Sequence, residues 1–197
     1  VSPNYAREIQ TPAAGFGLNE IIKARKKHLY GILNGIDYET WNPRTDAHVA
    51  QPYSINTLEN KIKNKLALQR ELQLTEDPGV PLLGLVSRLV EQKGIDVLLS
   101  ALSAFLQNQE LQFIGLGTGE PRYEAKLQEL AETYPQLVRL ELNYNEDLAH
   151  RIYAGADLLA VPSRYEPCGL SQLIGLRYGT IPVARATGGL ADTVTDY

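Results

Sequence analysis

The sequence predicts an α/β protein in which a parallel sheet is built from right-handed βαβ units. From about residue 80 onward, five short apolar runs rich in branched residues alternate with stretches of about a dozen residues at helical spacing. This alternation is typical of a sheet whose parallel strands are connected by helices.

The predicted elements follow one another in regular pairs. The strands are, in order, "VPLLGLVSRL", "LQFIGLG", "LVRLELNY", "DLLAVPS" and "IPVAR". The helices that follow them are "GIDVLLSALSAFLQ", "RYEAKLQELAETY", "EDLAHRIYAGA", "CGLSQLIGLRYG" and "GLADTVTDY". We expect the last helix to be cut off by the end of the chain, because neither a glycine cap nor a polar tail closes it.

The first 80 residues have a different character, rich in glycine, proline and aromatic residues. Within them, "NTLENKIKNKLALQRELQL" predicts one amphipathic helix, whose apolar side we interpret as a packed face rather than a partner-binding site. The stretch "NGIDYETWNP" resembles a linker between two domains.

Composition excludes several classes of function. A net charge of −4 argues against nucleic acid as the main partner. No apolar run reaches the roughly 20 residues needed to span a membrane, and no signal peptide is visible. The single cysteine fits a reducing compartment. Because His28, His48 and His150 lack the spacing of metal ligands, we expect no metal site.

The loops after the first three strands carry candidate ligand-binding residues, since the carboxyl ends of parallel strands meet at one edge of the sheet. Arg88 and Lys93 in "SRLVEQKG" could neutralise a diphosphate, or they could be solvated cations. Gly117 in "GLGTG" would let the backbone approach a ligand, although tight turns use the same residues. Tyr144 could stack on a nucleobase or pack in the core.

The loop after the fourth strand, "SRYEPCGL", predicts an anion site with a carboxylate beside it. The amides of Cys168, Gly169 and Leu170 would begin a helix directly after Glu166. Glu166 could accept hydrogen bonds from sugar hydroxyls, or it could only cap that helix. Cys168 could be a nucleophile, but a packed thiol is the simpler interpretation.

After the fifth strand, "RATGGLADT" predicts a second helix start that favours anions. Thr187 and Gly188 would open that helix, and Asp192 reads as a charge in its first turn.

Together these loops resemble one family, the bacterial and plant glycogen and starch synthases, which are glucosyltransferases that use ADP-glucose. The matching stretches are "VSPNYAREI", "GILNGIDYETWNP", "SRLVEQKGID", "YAGADLLAVPSRYEPCGLSQLI" and "RYGTIPVARATGGLADTV", in the family order and over essentially the whole chain. The resemblance implies one Rossmann-like, doubly wound half of a two-domain GT-B glycosyltransferase. It places the end of the first, acceptor-side domain at 1–34, the hinge at 35–50 and a truncated ADP-glucose-binding domain at 51–197.

The resemblance also implies roles for the loop residues. Arg88 and Lys93 would bind the diphosphate of ADP-glucose. The amides of Leu170 and its neighbours would also bind phosphate, with Thr187 close by. Tyr144 would stack on adenine, and Glu166 would hold the hydroxyls of the transferred glucose.

The implied reaction transfers glucose to the 4-hydroxyl at the non-reducing end of an α-1,4-glucan, with retention and without metal or cofactor. Many related transferases place a second glutamate eight positions after the first, where this chain has Ile174. This departure favours the glucan-synthase branch.

The resemblance further implies that the remainder of the first domain is missing and that the isolated chain is inactive. A non-catalytic binding module, or a transferase with another sugar donor, is the alternative. The expected location is the cytoplasm, or the plastid for a plant or algal protein.

Overall fold

The computed structural model describes residues 1–196 and centres on a five-stranded, all-parallel sheet. The strands are Leu82–Val86 (β1), Gln112–Leu116 (β2), Val138–Glu141 (β3), Leu158–Val161 (β4) and Ile181–Ala184 (β5). The helices are Pro3–Glu8 (α1), Asn19–Ala24 (α2), Lys61–Glu71 (α3), Ile95–Gln107 (α4), Pro121–Thr133 (α5), Glu146–Gly155 (α6), Ser171–Arg177 (α7) and Gly188–Thr193 (α8).

The strand order β3-β2-β1-β4-β5 fixes where a ligand can enter. The chain moves outward from β1 through β2 to β3, then returns to place β4 on the other side of β1. In sheets of this kind the connecting loops diverge at the reversal and leave a crevice at the carboxyl ends of the strands. The crevice therefore lies beyond β1 and β4, and the predicted doubly wound α/β fold is confirmed.

Both faces of the sheet are covered by apolar packing. On one face Leu82 and Leu159 pack with Leu68 of α3 and Ile152 of α6. On the other, the second core cluster joins strand residues such as Phe113 to side chains from α4 and α5. Burial on both faces explains why the strands read as continuous apolar runs rather than as an alternating pattern.

The segment before α3 is anchored to this core by a buried carboxylate. Asp46 accepts hydrogen bonds from the Tyr178 hydroxyl, from His150 Nδ1 at 2.7 Å and from the His48 amide at 2.9 Å. Burial raises the pKa of the Asp46 carboxyl, but these hydrogen bonds outweigh it and the pKa lies below its ordinary value. Trp41 stacks on the His150 ring with ring centroids 4.1 Å apart, which adds an aromatic contact to this cluster.

The single helix predicted for "NTLENKIKNKLALQRELQL" is wrong. A 3₁₀ segment, Ile55–Asn60, precedes α3, and Thr57 within it has a non-helical φ of −138°. The Thr57 hydroxyl accepts a hydrogen bond from the Ser54 amide at 2.9 Å, which closes a capping box. This local bond competes with continuous helix, as threonine side chains often do.

Three further element boundaries differ from the prediction. Tyr144 does not end a strand, because β3 stops at Glu141. The helix after β4 begins at Ser171 rather than Cys168, since Gly169 adopts a left-handed φ of +74°. The last helix ends at Thr193, and the final residue of its predicted range lies outside the described residues. Within residues 1–196, no helix is both long enough and apolar enough to cross a membrane.

Candidate functional site

A cleft of about 350 Å³ opens at the predicted edge of the sheet, beside the end of β1. Its walls come from the loops after β1, β2 and β3, from α6 and α7, and from the linker that precedes α3. The lining residues that matter here are Arg88, Gly117, Tyr144, Trp41, Tyr153 and Ile174. Three of the predicted site residues are therefore brought together in one cleft.

The loops after β1 and β2 are joined by backbone hydrogen bonds. The Leu89 amide donates to the Thr118 carbonyl at 3.0 Å, and the Glu120 amide donates to the Leu89 carbonyl at 2.8 Å. Gly117 has φ +144°, and a β-carbon there would lie 1.8 Å from the Ser87 carbonyl oxygen. Glycine is thus required for the two loops to lie this close, and they form a firm wall of the cleft.

Arg88 and Tyr144 both lie at the exposed mouth of the cleft. The Tyr144 side chain is 85% exposed, which excludes the alternative that it packs in the core. Its hydroxyl donates to Glu146 Oε2 at 3.1 Å, and this hydrogen bond raises the pKa of the phenol. Among the described residues, the Arg88 side chain has one long contact, from Nη2 to Gln92 Oε1 at 3.4 Å. A flat ring and a guanidinium are consequently both accessible to a ligand.

Lys93 and Glu166 form an ion pair between the loops after β1 and β4. Lys93 Nζ lies 2.6 Å from Glu166 Oε2, which also accepts from Ser163 Oγ at 3.1 Å. Only 19% of the lysine side chain and 8% of the glutamate side chain are exposed. The solvated-cation alternative therefore does not describe Lys93. The helix-cap alternative for Glu166 is wrong as well, because Leu170 is the N-cap residue of α7.

The loop that carries Glu166 is held by hydrogen bonds from the buried side chain of Gln172. The two protons of its Nε2 are shared among three acceptors, the Cys168 carbonyl at 3.0 Å, the Gly169 carbonyl at 3.2 Å and Thr193 Oγ1 at 3.1 Å. Cys168 itself is buried, in agreement with its interpretation as a packed thiol. Leu170, in contrast, is 48% exposed at the end of the loop.

The predicted anion-favouring start of α8 already holds a carboxylate of this chain. Glu8 accepts from the Gly188 amide at 2.8 Å and lies 3.3 Å from the Thr187 hydroxyl. A phosphate contact at Thr187 or Gly188 would require Glu8 to move. Asp192 is not a first-turn charge as predicted, since it lies near the end of α8 and accepts from the Asn4 amide at 2.7 Å.

Sequence reasoning missed three residues that hold the predicted ones in place, namely Glu8, Gln92 and Ser163. Gln92 accepts from the Arg164 amide at 2.8 Å and donates to the Tyr165 carbonyl at 3.3 Å, which ties the Arg88 loop to the Glu166 loop. The sequence signals for Gln92 and Ser163 are slight: Ser163 lies just after a strand, and Gln92 lies in the same loop as Arg88 and Lys93. Glu8 carries no such signal.

The chemistry of the site suits a ligand that combines a ring, negative charge and hydroxyl groups. Arg88 and Lys93 supply positive charge, Tyr144 offers an exposed ring, and Glu166 supplies an acceptor. Among residues 1–196, no three His, Cys, Asp or Glu side chains gather closely enough to hold a metal ion.

Comparisons with known proteins identify one family and several glycogen synthases as relatives of this chain. The profile of the family "Glycosyl transferases group 1" matches residues 51–197. The glycogen synthase of Kosmotoga olearia is 54% identical over 197 residues, which is 100% of this chain and 41% of that protein. The glycogen synthase of Cellvibrio japonicus is 53% identical over 196 residues, which is 100% of this chain and 40% of that protein.

A solved structure agrees with the sequence comparisons. The catalytic domain of starch synthase IV from Arabidopsis thaliana, bound to ADP and acarbose, matches with a TM-score of 0.93 and 42% identity. The match covers 100% of this chain and 40% of that one. The chain thus spans about two fifths of the proteins it matches. Since the profile covers most of the sequence and the sheet has the expected order, the chain belongs to the glycosyl transferases group 1 family.

Proposed function

We propose that this chain is the donor-binding part of a glycogen or starch synthase, which transfers glucose from ADP-glucose to an α-1,4-glucan. The observation that carries the proposal is the largely buried Lys93–Glu166 ion pair, which lies at the same edge of the sheet as the cleft that Arg88 and Tyr144 line. In this proposal, the carboxyl edge of the sheet supplies charge for a diphosphate, an acceptor for sugar hydroxyls and a ring for a base.

Arg88 and Lys93 bind the diphosphate in this proposal. The exposed guanidinium offers a fork of donors to two phosphate oxygens. An ammonium group has three protons, and Glu166 accepts only one of those of Lys93. Lys93 can therefore contact a phosphate oxygen while it keeps its bond to Glu166. As the bond to the anomeric carbon breaks, negative charge develops on the leaving diphosphate, and these two cations stabilise it.

Glu166 orients the glucose. Both of its side-chain hydrogen bonds from the described residues fall on Oε2, so Oε1 is the oxygen that accepts from a sugar hydroxyl. The rigid backbone of Gly117 and the amides of Cys168, Gly169 and Leu170 lie on loops at the same edge of the sheet. We assign these groups to contacts with the sugar and the phosphates.

The ring of Tyr144 stacks on adenine at the mouth of the cleft, since its faces are open to solvent. Ile174, which occupies the position of a second glutamate in other transferases, gives the cleft an apolar wall. An apolar residue at this position is what the resemblance to the glucan-synthase branch implies. We therefore expect a preference for ADP-glucose over UDP-glucose.

Transfer requires groups on both sides of the glucose, because preorganised positioning contributes much of the rate. We propose that residues 1–34 belong to the acceptor-side domain, that 35–50 form the hinge, and that the remainder of the first domain binds the glucan. The isolated chain then binds donor without transferring it. By analogy with the bacterial glycogen synthases we place the protein in the cytoplasm.

The test is calorimetric titration of the chain with ADP-glucose and UDP-glucose. We expect selective binding of ADP-glucose, loss of that binding in Lys93→Ala, and unchanged binding in the control Lys63→Ala, whose side chain is exposed on α3. Equal binding of both donors would favour a transferase with another sugar nucleotide. Elongation of glycogen by the isolated chain would contradict the proposed need for the first domain.

A further inference from the structure

Helices α1 and α8 cap one another. The backbone amide of Asn4, in the first turn of α1, donates to Asp192 Oδ2 near the end of α8 at 2.7 Å. The backbone amide of Gly188, at the start of α8, donates to Glu8 Oε1 at the end of α1 at 2.8 Å. The start of each helix therefore meets the end of the other, and we name this pair of contacts the α1–α8 clasp.

The clasp satisfies groups that a helix leaves unpaired. The first amides of a helix have no partner within it, and a carboxylate is their most favourable acceptor because the helix start carries partial positive charge. Asn4 strengthens the arrangement with its side chain, since Nδ2 donates to Glu8 Oε1 at 2.7 Å. The Thr187 hydroxyl lies 3.3 Å from Glu8 Oε2. Glu8 is thus held by donors from both helices.

The clasp also fixes the backbone that carries Glu166. The Gly189 amide in α8 donates to the Glu166 carbonyl at 2.8 Å, and the Ser2 amide, at the cap of α1, donates to the Pro167 carbonyl at 2.7 Å. A β-carbon on Gly188 would lie 2.0 Å from the Glu166 carbonyl oxygen, so no larger residue fits at this contact without a shift. Two consecutive carbonyls of the site loop are held by two helices that Glu8 joins.

We propose that Glu8 is a positioning residue for glucosyl transfer. By joining α1 to α8, Glu8 fixes the backbone of Glu166 and Pro167. This inference rests on the proposed function. In the proposed domain division, α1 belongs to the acceptor side and α8 to the donor side. The clasp then joins the two sides, and it couples their contact to the placement of the Glu166 backbone.

The test compares Glu8→Ala with Glu8→Gln in the full-length enzyme. The amide oxygen of glutamine still accepts from the Gly188 amide, whereas alanine removes the acceptor. We expect Glu8→Ala to lower kcat about tenfold or more, because small misplacements of reacting groups are costly. KM for ADP-glucose should change far less, and Glu8→Gln should recover most of kcat. Glu129→Ala, an exposed glutamate on α5, is the matched control and should behave as the wild type.

Hydrogen exchange on the same full-length enzyme separates positioning from general loss of stability. We expect faster exchange of the Gly188 and Gly189 amides in Glu8→Ala, with the amides of β1 and β2 unchanged. An unchanged kcat in Glu8→Ala, or a lowered kcat without faster exchange at Gly188 and Gly189, would overturn the proposal. If the wild type neither binds ADP-glucose nor transfers glucose, the proposed function fails instead, whatever the variants do.

Discussion

The Lys93–Glu166 ion pair allows a quantitative test of how the site is held together. Replacement of Lys93 by methionine leaves the Glu166 carboxylate with Ser163 as its remaining side-chain donor, and only 8% of the glutamate side chain is exposed. Removal of one partner of a buried ion pair costs about 3–5 kcal/mol, because the other charge is left uncompensated. Since the lysine side chain is still 19% exposed, water can reach the site, and we expect the lower end of this range.

We therefore expect the free energy of unfolding to fall by about 3 kcal/mol in Lys93→Met. The loss in Glu166→Gln should be smaller, about 2 kcal/mol, because the charge left behind is that of Lys93, the more exposed partner. The double variant should lose only about 3 kcal/mol, which corresponds to a coupling energy of about 2 kcal/mol. Urea unfolding gives these values, and Trp41 is a suitable probe because it is the single tryptophan and stacks on buried His150.

The matched control is Lys126→Met, which removes an exposed lysine on α5 and should change stability by less than about 0.5 kcal/mol. If the two single losses add up in the double variant to within about 0.5 kcal/mol, the pair does not act as a unit. The account of the site as two mutually compensating charges would then be wrong.

Three further predictions concern the scaffold. Asp46→Ala should lower the free energy of unfolding in urea by about 3 kcal/mol, because the buried Tyr178 hydroxyl and His150 lose their acceptor. Gly94→Ala should cost at least about 2 kcal/mol and lower the Tm, since φ is +67° and a β-carbon would lie 2.1 Å from a carbonyl oxygen. Burial lowers the pKa of Lys61 to about 7 from 10.5, so between these values only the unfolded chain takes up the proton. The free energy of unfolding should thus rise by about 2 kcal/mol from pH 7 to pH 9, and Lys61→Met should flatten that rise.

Contrary outcomes are equally specific. An Asp46→Ala protein as stable as the wild type would mean that the linker segment is not anchored by this cluster. A Gly94→Ala protein with an unchanged Tm would mean that the turn before α4 can relax without cost. A pH dependence that persists in Lys61→Met would assign the titration to another group.

Much of the fold could be predicted from local sequence patterns. Each strand of the sheet was predicted within a few residues, because branched apolar runs and helical spacing reflect burial that each element needs wherever it lies. The exact ends of the helices were harder to predict. The start of α7 was misplaced because a single left-handed glycine, Gly169, delays the helix, and the kink at Thr57 depends on one side-chain hydrogen bond.

The candidate site, too, could be predicted only in part from the sequence. Arg88, Gly117 and Tyr144 were predicted because they follow strands, and parallel strands bring their loops to one edge. The sequence by itself determined this edge, the residue types on it and the family resemblance. Only the tertiary structure decided that Lys93 pairs with Glu166 and that Glu8 occupies the start of α8. Glu8 and Gly188 are 180 positions apart, and a contact between such distant residues depends on how packed elements meet, which no local spacing encodes.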